Sequence, residues 1–142
     1  MSAIEILLVE DSMGDARLTM EALKENKFLN RLHHVSDGFE AMAFLYQQGQ
    51  YSDVPRPDLI LLDLNMPKMD GREVLEKIKQ DNQLKRIPVV VLTTSQADED
   101  ILKSYDLNAN CYISKPVDLD QFMEVIKSIK NFWLTIVKYP TN

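Results

Sequence analysis

The chain has 142 residues, 45% hydrophobic and 27% charged, which fits one water-soluble domain around one core. Its formal net charge of −6 argues against a nucleic-acid surface, which is normally basic. One cysteine, Cys111, excludes an intramolecular disulfide and a thiolate zinc site. The charged start MSAIEILLVED does not read as a signal peptide, and no run reaches the roughly 20 apolar residues of a membrane span, so a cytoplasmic location is expected.

Short apolar runs alternate with amphipathic ones. Ile4 to Val9 (IEILLV) predicts a strand, and residues 14–26 predict a helix carrying Ala16, Met20 and Leu23 at helical spacing. Residues 31–36 (RLHHVS) form a weaker strand. His33 and His34 there point to opposite faces, one partly buried and one exposed. A helix over about 39–48 buries Ala41, Phe44 and Leu45, and residues 48–57 read as a loop. Leu59–Leu62 is a third strand, followed by a helix over 71–80 that buries Val74, Leu75 and Ile78. Pro88–Leu92 is a fourth strand, a polar helix covers about 97–107, and Cys111–Ser114 is a fifth strand, with Cys111 in the core. The last helix starts near Asp118, a plausible N-cap with Gln121 three residues on. The pattern is (βα)5. Aliphatic strands joined by helical crossovers imply a parallel sheet covered on both faces.

In such sheets ligands bind beyond the carboxyl ends of the strands. The first strand ends in Glu10 and Asp11, the third in Asp63, the fourth in Thr93 and the fifth in Lys115. Three carboxylates, a hydroxyl and an ammonium therefore converge on one rim. Carboxylates about 4 Å apart repel by roughly 4 kcal/mol per pair at an effective dielectric near 20. Either one is protonated or a cation holds them. Oxygen ligands without His or Cys select Mg²⁺ or a similar hard cation. A carboxylate facing a metal-bound phosphate can act as a nucleophile and form an aspartyl-phosphate. Lys115 and the Thr93 hydroxyl are suitable donors to the remaining phosphoryl oxygens.

The segments LLVEDS, LILLDLNMPKMDG, PVVVLTTS and CYISKP, in this order, resemble the response-regulator receiver domains of two-component signalling. The resemblance spans about residues 4 to 130. It implies an α/β fold of the flavodoxin/CheY-like type: a doubly wound, five-stranded parallel sheet in the order 2-1-3-4-5. It further implies that Asp63 is the phosphoacceptor, and that Glu10, Asp11, Asp63 and the backbone carbonyl of Asn65 bind Mg²⁺. Thr93 and Lys115 contact the phosphoryl group, the Lys115–Pro116 bond is cis, and Tyr112 is the aromatic switch that follows Thr93. Such a protein takes its phosphoryl group from a sensor histidine kinase and catalyses only its own phosphorylation and dephosphorylation. Thr94 departs from the Ala or Gly common at that position, which bears on phosphoryl lifetime rather than on the chemistry.

A narrower resemblance lies in the long loop QQGQYSDVPRP, the stretch LNANCYISK and the aromatic ending IKNFW. These are similar to stand-alone regulators that partner phytochrome-type kinases in cyanobacteria. Residues 1–130 then form the receiver, and 131–142 extend the last helix with no separate output domain. Apolar residues along that ending, Phe132 and Trp133 among them, suggest a self-complementary surface and a homodimer. The switched surface would comprise the helix at 97–107, the fifth strand and the final helix. The competing class is a Mg²⁺-dependent phosphohydrolase that also works through an aspartyl-phosphate. Such enzymes typically carry an acid/base Asp two residues after the nucleophile, where this chain has Asn65. No glycine-rich phosphate loop supports nucleotide binding.

Overall fold

The computed structural model describes residues 4–24, 30–64, 66, 69–93, 111–115, 117 and 119–128. Its strands are β1 (Ile4–Val9), β2 (Asn30–Val35), β3 (Leu59–Asp63), β4 (Val89–Thr93) and β5 (Cys111–Ser114). They form one parallel sheet in the order β2-β1-β3-β4-β5. The helices are α1 (Met13–Lys24), α2 (Gly38–Leu45), α3 (Gly71–Gln80) and α4 (Leu119–Ser128). The helix expected at 97–107 and the Asp118 cap lie outside the described residues.

Side chains alternate across each strand, so an aliphatic run feeds two cores at once. Leu7, Val9, Ile60, Leu62 and Val91 join Phe44 and Leu45 of α2 and Val74, Leu75 and Ile78 of α3. Ile6, Leu8, Leu59, Leu61, Val90, Leu92 and Ile113 join Ala16 and Leu23 of α1 and Phe122 of α4. All five residues of β3 and of β4 are buried. Truncating one of them, such as Leu61→Ala, would cost about 2–5 kcal/mol through lost transfer energy and the cavity left behind.

Helix ends follow local chemistry. Asp37 accepts the Glu40 N–H at 2.9 Å and opens α2, and Asp70 accepts the N–H groups of Arg72 and Glu73 and opens α3. The sequence pattern extends α2 to 48, but the helix stops at Leu45. Gln47 takes a left-handed φ of 54°. The Gln48 N–H reaches back to the Ala43 carbonyl, and that of Gln47 to the Phe44 carbonyl. This is a Schellman ending with glutamine where glycine is usual. The Gln47 side chain donates to the Val54 carbonyl at 2.7 Å, which helps hold that conformation. The following loop holds a short 3₁₀ turn, Gly49–Tyr51, and Tyr51 packs on Phe44 with ring centroids 5.4 Å apart.

The two histidines depart from expectation. Both are half-buried. β2 is an edge strand, yet each of its faces finds cover. His33 Nε2 lies 2.8 Å from Glu5 Oε1, with its ring 5.3 Å from Phe44. His34 Nε2 lies 2.7 Å from the Glu10 carbonyl oxygen. Among the described residues no helix is long and apolar enough to cross a membrane.

Candidate functional site

Parallel pairing brings the carboxyl ends of β1, β3, β4 and β5 to one rim. Val9 pairs with Leu62, Asp63 with Leu92 and Thr93 with Ser114. Glu10 is therefore one residue beyond the last β1–β3 pair, beside Asp63. The Glu10 N–H bonds the Val35 carbonyl at 3.1 Å, and its carboxylate accepts the Ser12 N–H at 3.3 Å. The Lys115 N–H bonds the Thr93 carbonyl at 3.0 Å, tying the end of β5 to that of β4. Glu10, Asp63 and Thr93 are buried, whereas Asp11 is exposed.

One carboxylate oxygen each from Glu10, Asp11 and Asp63 lies within 4.8 Å of the other two. Lys115 Nζ reaches three acids: Glu10 Oε1 at 2.8 Å, Asp15 Oδ2 at 3.3 Å and Asp63 Oδ1 at 3.4 Å. Burial works to lower the Lys115 pKa. The close contact with Glu10, the negative charges of Asp63 and Glu10 and the hydrogen bond with Asp15 outweigh it and leave the pKa raised. Three carboxylates crowded against one ammonium, all with oxygen donors, suit a hard divalent cation. Glu10 has no solvent exposure, and burying an ion costs several kcal/mol unless positive charge is close by.

The backbone at Asp63 is held by a close approach. A Cβ on Gly71 would sit 2.5 Å from the Asp63 carbonyl oxygen and 2.5 Å from Leu64 Cα. Only glycine lets α3 start so near the acid. Gly38 is similarly confined, since a Cβ there would collide with the Met69 carbonyl oxygen in the segment leading to α3.

The structure thus brings together Glu10, Asp11, Asp63 and Lys115, with Thr93 on the neighbouring strand end. Tyr112 is half-buried on β5, packed against the core layer of α2 and α3. Asn65, Thr94, Pro116, Phe132 and Trp133 lie outside the described residues. Asp15 escaped the sequence reading. It stands in the first turn of α1, where an acid has a sufficient local reason in the helix dipole. Only the fold brings Lys115 to it.

A parallel five-stranded sheet with such a rim defines a receiver, and the chain belongs to the response regulator receiver domain family, whose profile matches residues 6–127. It is similar to the response regulator Rcp1 of Synechocystis sp., with 54% identity over 135 residues covering 95% of this chain and 92% of Rcp1. The crystal structure of the phosphorylated cyanobacterial phytochrome response regulator RcpA matches with a TM-score of 0.77 and 54% identity, over 94% of this chain and 96% of RcpA. The Mn²⁺-bound form of Rcp1 matches with a TM-score of 0.74 and 54% identity, over 92% of this chain and 94% of that one. The acidic cluster and that metal-bound relative together support divalent-metal binding.

Proposed function

We propose that this chain is a relay of two-component signalling in which Asp63 accepts a phosphoryl group from the phosphohistidine of a sensor kinase of the phytochrome type. A carboxylate oxygen of Asp63 attacks phosphorus. The phosphorus–nitrogen bond breaks and its electron pair returns to the imidazole ring. Glu10, Asp11, Asp63 and the Asn65 carbonyl would hold Mg²⁺, which when bound supplies positive charge to the phosphoryl oxygens. Lys115 leaves its carboxylate partners to pair with those oxygens, and the Thr93 hydroxyl donates to another. Space opened behind Thr93 lets Tyr112 turn inward and alter the partner surface assigned to the helix expected at 97–107, β5 and α4. The chain turns over no separate substrate and catalyses only its own phosphorylation and dephosphorylation. We place it in the cytoplasm, with residues 1–130 as the receiver and the ending at 131–142, through Phe132 and Trp133, as a homodimer contact.

The observation that carries this reading is Lys115 Nζ 3.4 Å from Asp63 Oδ1, beside the cluster of three carboxylates. The kinase reading draws on the similarity to RcpA. Its test is phosphotransfer from a panel of purified, autophosphorylated sensor kinases. Fast transfer from a phytochrome-type kinase, ahead of the others, is expected. Preference for a kinase without a phytochrome sensor would overturn the partner assignment.

A further inference from the structure

Lys115 has three N–H donors and three carboxylates within 3.4 Å: Glu10, Asp15 and Asp63. Glu10 and Asp63 also belong to the acidic cluster, while Asp15 does not. A cation that drew Glu10 and Asp63 to itself would leave Asp15 as the carboxylate, among the described residues, still paired with Lys115. Asp15 is 100 residues from Lys115 in the chain. Its side chain is 43% exposed against 12% for Lys115, so it stands on the solvent side of the ammonium.

We propose that Asp15 is a positioning residue that tempers Lys115. It competes with the phosphoryl oxygens for the ammonium and so slows phosphoryl transfer to Asp63. This rests on the reading of Asp63 as the acceptor. A carboxylate beside the ammonium partly cancels the charge that the transferring oxygens must feel. With Glu10 and Asp63 drawn to a cation, Asp15 at 3.3 Å is the remaining partner among the described residues, so its loss frees the ammonium for the phosphoryl oxygens. The chain therefore carries a brake on its own activation, set by one acid on α1.

The test uses the full chain with Mg²⁺ and acetyl phosphate, and reads the initial rate of phosphoryl mass gain. Wild type, Asp15→Asn, Lys115→Met and the double variant are compared, with thermal unfolding as a check that each is folded. Asp15→Ser serves as a second removal of the charge. Removing the charge is expected to raise the rate roughly two- to five-fold, the range of a partly exposed ion pair. The gain should vanish in the Lys115→Met background. An equal gain there would mean that Asp15 merely repels the anionic donor, and would overturn the route through Lys115. An unchanged or lower rate in both Asp15 variants would overturn the proposal alone. Absence of labelling in the wild type would instead overturn the reading of Asp63, and this proposal with it.

Discussion

Lys115 Nζ lies 2.8 Å from Glu10 Oε1, and Glu10 has no solvent exposure. The ammonium is therefore what makes the buried carboxylate tolerable in the absence of a cation. Lys115→Ala is expected to destabilise the fold by about 3–5 kcal/mol, because it strands an uncompensated buried charge. Urea unfolding in chelator measures this, and added Mg²⁺ should recover part of the loss. A cost under about 1 kcal/mol would mean that Glu10 relaxes toward water.

Crowding of Glu10, Asp11 and Asp63 within 4.8 Å makes a cation stabilising. A ligand that binds only the folded state contributes RT ln(1 + [L]/Kd), or about 2.7 kcal/mol at a hundred times Kd. The melting temperature should thus climb with millimolar Mg²⁺. Asp11→Ala should remove most of the climb. The same response in that variant would locate the cation elsewhere.

Gly71 tests how the acid is held. Its missing Cβ is what allows the Asp63 carbonyl oxygen and Leu64 Cα so near the start of α3. Neither neighbour is the end of a flexible side chain, so the backbone itself must shift. Gly71→Ala should cost about 1–3 kcal/mol and lower the initial rate of Asp63 labelling as well. Loss of stability with labelling intact would show that the carboxylate is positioned independently of this packing.

The Tyr51 hydroxyl donates to Glu40 Oε1 at 2.8 Å. Its pKa is pushed up to about 12, first by burial, then by the hydrogen bond to Glu40 and the negative charges of Glu40 and Asp37. A pKa raised above the unfolded value near 10 means stability fully present below pH 10. That stability is lost as pH rises from about 10 through 12. Tyr51→Phe should flatten this alkaline decline, as read by melting temperature against pH. An identical decline in the variant would assign it to other groups.

The rim was legible because each of its acids and its lysine closes or follows an apolar run, as Asp63 follows LILL and Lys115 follows CYIS. Continuous aliphatic runs joined by helical crossovers give a parallel sheet buried on both faces, and a parallel sheet gathers its strand ends. The end of α2 was not legible. It depends on Gln47 adopting φ of 54°, and a glutamine carries no sign of that. Both histidines of β2 are half-buried because α2 and the turn after β1 cover an edge strand, a tertiary effect that strand alternation does not encode. Asp15 was missed for a similar reason, since its contact with Lys115 exists only after β5 is laid beside β4.

The most direct measurement of the central claim is the intact mass of the protein after incubation with Mg²⁺ and acetyl phosphate, followed by mapping of the modified residue. Wild type should gain one phosphoryl group on Asp63, lose it on standing with Mg²⁺, and show none when Asp63 is changed to Asn. A persistent phosphoryl group in the Asp63→Asn variant, or a wild type that stays unmodified, would contradict the account.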